Sequence, residues 1–137
     1  MAIRISNAMA KAMLDAGLDL LDGGTIDIRT GAAPTNVEDA ATGTLLGTCT
    51  FNATAFPASA DGTDKATATA NAITDDAAAD ATGTAGYFRA KSSGATAHMQ
   101  GSITATGGGG DLELATTSVV ANAIISITGF VVNLPET

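Results

Sequence analysis

Apolar side chains in the first two dozen residues recur with the period of a helix. Met9, Met13, Leu14, Leu18 and Leu21 stand three or four residues apart, the spacing of one amphipathic face. Ser6 precedes them with a side chain suited to accept a first-turn N–H, and Gly23 and Gly24 follow as terminators. The pattern predicts a helix over residues 7–21, which Gly17 weakens or opens to close approach by another backbone. Beyond Gly24 the period shortens to two. Thr25–Thr30 alternates Ile26 and Ile28 with polar neighbours, and Thr44–Phe51 and Lys65–Ile73 read as further strands. Ala85–Lys91 puts Phe88 and Ala90 on one face and Tyr87, Arg89 and Lys91 on the other. Ala97–Ala105, Asp111–Leu114 and Ile124–Leu134 complete the set, the last with a bulge expected at Gly129.

Turn residues separate these runs: a loop from Gly31 to Gly43 with Pro34 and Asn36, an Asp61-Gly62 turn after Pro57, an acidic link from Asp75 to Asp80, Ser93-Gly94, and four glycines at Gly107–Gly110. About seven strands at this spacing predict a mainly β fold, a single antiparallel β-sandwich or jelly-roll-like barrel with one N-terminal helix. Residues 1–24 form the helix-bearing segment and 25–137 the β region, together one domain. The tetrapeptide ATGT occurs at Ala41–Thr44 and again at Ala81–Thr84. In a chain this rich in Ala, Thr and Gly the recurrence reads as coincidence.

Composition limits the core. Hydrophobic residues make up 45% of the 137, but many are alanine, with no Trp, one Tyr and four Phe. Alanine buries little apolar area, so the expected remedy is association with neighbouring protein. A net charge of −8 repels phosphate backbones and anionic lipid, so neither nucleic acid nor membrane is an expected partner. The opening MAIRISNAMAKAM lacks a continuous apolar stretch, and no window approaches 18 uninterrupted apolar residues. A protein made and kept soluble in the cytoplasm is expected.

Little of the sequence suggests chemistry. With one cysteine, Cys49, and one histidine, His98, the chain supplies neither a disulfide framework nor a set of zinc ligands. Cys49 between threonines reads as a small packed hydrophobe, and His98 as a surface or interface imidazole. Asp75, Asp76 and Asp80 lack calcium-loop spacing and read as a solvated acidic loop, as do Asp61 and Asp64. Gly107–Gly110 resembles a phosphate loop only in its glycines, because Asp111 puts a negative charge where the anion would sit. A turn is the expected role. No catalytic, metal-binding or cofactor-binding residue is expected, and no enzyme.

Several segments together carry a resemblance: Met13-Leu14-Asp15-Ala16 in the helix, IDIRTGAAPTN from Ile26, ATGTLLGTCTF from Ala41, ATGTAGYFR from Ala81 and GGGDLELATTS from Gly108. Over nearly the whole chain they resemble a family of short virion structural proteins of tailed bacteriophages. The resemblance implies a non-enzymatic head decoration (cement) protein on the capsid exterior, assembled in the host cytoplasm. Its implied partners are the major capsid protein and copies of itself, as a homo-oligomer. The alternative it leaves is a tail, neck or fibre-associated protein, including a receptor- or glycan-binding module. Within this frame Ile3, Ile5, Met9 and Met13 are the candidate intersubunit contacts, with a helix that merely caps its own sheet as the competing reading.

Overall fold

The computed structural model describes residues 3–137. Helix α1 spans Asn7–Leu18 and continues into a 3-10 turn at Asp19–Leu21. Nine strands follow: β1 (Thr25–Thr30), β2 (Leu45–Thr50), β3 (Ala60–Gly62), β4 (Lys65–Thr69), β5 (Gly83–Lys91), β6 (Ala97–Ala105), β7 (Leu112–Leu114), β8 (Ser118–Val119) and β9 (Ile127–Pro135). The helix begins where its cap predicts, with Ser6 Oγ accepting the Met9 N–H at 3.2 Å. It ends at Gly23, which takes a φ of +64°, a conformation that strains any residue with a Cβ.

The strands hydrogen-bond in the order β2-β1-β5-β6-β7-β9-β4-β3, with β8 added beside the start of β5. The expectation of about seven antiparallel strands is thus corrected in two respects. Two short strands, β3 and β8, were not legible as such, and β6 and β7 pair in parallel, so the open sheet is mixed. Parallel neighbours ordinarily need a crossover of a dozen residues or more. Here the glycine run reverses the chain within a few residues, with Gly107 and Gly109 at φ of +84° and +79° and Gly108 N–H donating to Ala105 O at 2.9 Å. Asp61-Gly62, expected as a turn, lies in β3 instead. The reversal comes one step later at Thr63-Asp64, where Asp64 takes φ +53°. The irregularity expected at Gly129 falls beside it, since register slips between Glu113 and Leu114 and leaves Thr128 unmatched.

The sheet curls around one core. Strands β5 and β9 are three steps apart, about 14 Å in a flat sheet at the usual spacing, yet the rings of Phe88 and Phe130 meet at 5.0 Å. Phe130 also contacts Phe51 at 6.1 Å and Phe56 at 5.5 Å, so all four phenylalanines share one cluster. Helix α1 covers this core from the side of β3, β4 and β9, inserting Ala10, Leu14, Leu18 and, from the turn, Leu21.

The opposite face is covered in the middle of β1 and β5, while His98 and Ser102 on β6 stay exposed. The alternation expected in β5 holds, but Tyr87 and Arg89 lie only 1% and 5% exposed because the loop from Gly31 to Gly43 folds over them. Polar side chains hold that loop by its backbone. Tyr87 Oη donates to Thr42 O at 2.7 Å, Arg89 Nη1 to Asp39 O at 2.8 Å and Gln100 Nε2 to Pro34 O at 2.6 Å. Beside them Lys91 Nζ pairs with the buried Asp27 at 2.8 Å. The two copies of ATGT serve different ends. Gly43 takes φ +68° where a Cβ would collide with Thr30 O, whereas Gly83 begins a regular strand.

Candidate interaction face

Helix α1 carries its charges toward its own domain. Lys11 Nζ pairs with Asp61 at 3.4 Å, and Asp15 Oδ1 accepts the Ser59 N–H at 2.8 Å. Ser59 is itself buried and directs its hydroxyl to Lys11 O. With Lys11 and Asp15 drawn to the flank, the solvent side of the helix is left to Ala8, Met9, Ala12, Met13, Ala16 and Gly17. Met9, Met13 and Leu20 are 54%, 50% and 53% exposed. An added Cβ at Gly17 would meet nothing within 4 Å, so the close approach this glycine permits is not used by the chain itself. Beside Leu20 the helix borders a shallow hollow of about 340 Å³, closed on the other side by His98, Met99 and Leu134.

The four contact residues expected from sequence divide. Ile3, 86% exposed, joins Met9 and Met13 on the surface. Ile5 packs against the core and donates its N–H to Glu136 O at 3.0 Å, which ties the segment before α1 to the end of β9. Leu20, His98 and Leu134 were missed. For Leu20 a signal existed. At about 100° per residue, Met9, Met13 and Leu20 centre roughly 115° round the helix from Ala10, Leu14, Leu18 and Leu21. Two apolar stripes are present, not the single face that spacings of three and four suggested. His98 and Leu134 lie on strands whose approach to α1 depends on tertiary packing.

The residues weighed for chemistry are dispersed. Cys49 is fully buried, and burial pushes its thiol up to about 11 from 9.0, with the charges of Asp76 and Asp75 acting in the same direction against a backbone hydrogen bond at Asp76. It packs as the small hydrophobe the sequence suggests. His98 is exposed on β6, three strands from Cys49 on β2. Among the described residues no group of three or more His, Cys, Asp or Glu stands close enough to hold a metal ion. Asp75 and Asp80 are solvated as expected, but Asp76 is not merely so. Its Oδ2 accepts the Thr48 N–H at 2.8 Å and its Oδ1 the Ala78 N–H at 3.0 Å. With the Thr50–Thr74 bridge, this closes the outer edge of β2, a row of backbone groups otherwise open to pairing with another chain. The signal in sequence was weak, since aspartate in an alanine-rich link reads as solvation.

Among the described residues no helix is long and apolar enough to cross a membrane. Comparison with protein families, curated proteins and solved structures found no match to this chain. Fold and face together define a mainly β domain whose helical surface is apolar apart from Asp19 at its end.

Proposed function

We propose that this chain is a structural component of a tailed-bacteriophage virion, a capsid decoration protein that docks on the major capsid protein and on copies of itself through the outer face of α1. The observation that carries the reading is the inversion of that helix. A helix on the surface of a free-standing domain presents charged residues to water, whereas α1 ties Lys11 and Asp15 to its own domain and, with the 3-10 turn, offers Met9, Met13 and Leu20 outward beside a single exposed carboxylate, Asp19. The resemblance carried by the segments from Ile26, Ala41, Ala81 and Gly108 supports the same reading. On this reading the curled sheet is a jelly-roll-like wrap, and the copies assemble onto the capsid exterior from the host cytoplasm. Lattice binding adds stability by mass action, because only the folded domain presents the face. A chain with no Trp and much alanine gains from that more than a self-sufficient domain would.

The test is copy number and position in purified virions. Gel densitometry against the major capsid protein is expected to give hundreds of copies, and a low-resolution map to place them on the shell. A few to some tens of copies would move the protein to the tail, neck or fibre. Its absence from purified particles would defeat the virion reading altogether.

A further inference from the structure

A second feature lies beside the helical face, where β6 and β9 part. Strand β7 joins them only through Ile103–Ala105 on one side and Ile127–Phe130 on the other. Past it, β6 from Ala97 to Ser102 is paired only with β5, and β9 from Val131 to Pro135 only with β4. We infer that this gap receives the segment of residues 3–6 of a second copy as an added strand. The inference rests on the reading of α1 as a contact face and names one partner for it.

Alternate residues of a strand direct their N–H and C=O to opposite edges. Phe130 O accepts from Ala70 N–H on the β4 side, so Val131 and Asn133 turn theirs into the gap. Ser102 N–H reaches Asp111 Oδ2 on the β7 side, so Gln100 also turns its groups into the gap. Between the two edges is a cleft of about 290 Å³ with Phe88, Met99 and Phe130 among its lining. Two facing strand edges with unpaired backbone groups call for an extended peptide, not a helix. The guest would continue the line of β7.

The segment from Ile3 to Ser6 fits that description. It leads into α1 without helix or strand of its own, with Ser6 extended, it alternates isoleucine with Arg4 and Ser6, and Ile3 is the most exposed of the large hydrophobic side chains described. Docking exchanges the packing of Ile5 on its own core and its N–H bond to Glu136 O for the equivalent contacts in the gap. Charge favours it too. Of the six Lys and Arg residues, Lys11 and Lys91 are ion-paired, while Arg29 and Arg89 donate to carbonyls of the covering loop. Among the described residues this leaves Arg4 and Lys65 with neither an ion pair nor a side-chain hydrogen bond. Asp111 stands at the head of the gap with Oδ2 held by Ser102 and Oδ1 open, an acidic site for the guest's Arg4. Met99 lines both this cleft and the hollow beside Leu20, so the two lie side by side. A guest segment in the gap therefore brings its own Met9 and Met13 against the apolar surface of the host copy.

The experiment uses isolated protein in a Cys49→Ala background. Ile3→Cys and Asn133→Cys proteins, mixed under mild oxidation, are expected to yield an intermolecular disulfide. A control mixture of Ile3→Cys with Ser93→Cys is expected to yield little. Arg4→Glu should weaken self-association in sedimentation roughly threefold to tenfold, and adding Asp111→Arg should restore it. Equal cross-linking in both mixtures overturns the inference. So does free exchange of the Val131 and Asn133 amides in concentrated isolated protein with protection appearing only on virions, which would make a capsid segment the occupant. Because no capsid is needed, cross-linking by a protein absent from virions would leave this inference standing and sink the decoration reading alone.

Discussion

Replacing Met13 with Glu and, separately, Leu14 with Ala perturbs adjacent residues that α1 points in opposite directions. Leu14 is 7% exposed and packs in the core cluster. Truncating a buried leucine removes its transfer free energy and leaves a cavity, about 2–5 kcal/mol in all. For a domain of this size that lowers Tm by roughly 10 °C. Met13 is 50% exposed, and Met and Glu have similar helix propensity. Met13→Glu should therefore change stability by no more than about 1 kcal/mol.

Assembly should respond in the opposite order. Fully burying a large apolar side chain is worth about 2 kcal/mol, so the exposed halves of Met9, Met13 and Leu20 leave about 1 kcal/mol each and Ile3 nearly the full amount. Their sum, about 5 kcal/mol, lies near the lower bound of what association costs in lost freedom, about 4–15 kcal/mol. On the decoration reading, the face should hold only where several contacts act at once, as on a lattice. Met13→Glu would remove one contribution and add the desolvation of a carboxylate, several kcal/mol, so binding should disappear while the fold persists. Urea unfolding followed by circular dichroism measures the first effect, and co-sedimentation with particles stripped of the protein measures the second. The reasoning fails if Met13→Glu unfolds the domain as readily as Leu14→Ala, or if the folded variant binds particles like the parent.

Asp76→Ala strips the Thr48 N–H of its acceptor and opens the edge of β2, so a loss of about 1–3 kcal/mol with aggregation detectable by light scattering is expected; unchanged stability would show that Asp76 is only solvated. Gly43→Ala should destabilise by about 1–3 kcal/mol, given its positive φ and the Thr30 carbonyl in the path of the new Cβ, whereas Gly17→Ala on the open side of α1 should stabilise by up to about 1 kcal/mol; equal effects in thermal melts would refute the contrast. Cys49 titrates near 11 when folded against 9.0 for an ordinary thiol, so the fold favours the neutral form. Stability from this group is whole below pH 9 and falls between pH 9 and about 11, by at most about 1.4 kcal/mol per unit. Cys49→Ala should lack that part of the alkaline decline, and an identical decline in both proteins would disprove the assignment.

Strands whose alternation and β-branching agree were legible. Thr25–Thr30 and Ala97–Ala105 end where the pattern ends, and Phe88 faces the core opposite Tyr87 as period two requires. The failures share a cause. β3 and β8 are two or three residues long and exist because longer strands pass beside them, so no local periodicity encodes them. The parallel pairing of β6 with β7 depends on how Gly107–Gly110 folds back, and four glycines permit many paths. That Tyr87 and Arg89 are buried on a nominally outer face depends on a loop whose own sequence, Gly31 to Gly43, has few apolar residues to announce it; the loop is held through its carbonyls instead.

The candidate face was half legible for a reason intrinsic to α1. Its apolar and small residues extend over roughly three-quarters of the helix circumference at 100° per residue, more than one core can cover. Periodicity alone registers such a helix as amphipathic and does not say which apolar stripe lies inward. The choice is made by size. Leu14 and Leu18 are buried on the side where α1 meets β4 and β9, with Leu21 buried in the turn beyond, and the Lys11–Asp61 and Asp15–Ser59 contacts suit the same rotation of the helix about its axis. Turning α1 by one residue, about 100°, would break both contacts and put Met9 and Met13 where Ala10 and Leu14 now sit. Burial of the leucines thus selects which apolar stripe faces inward, the two polar contacts agree with that rotation, and the outer stripe follows.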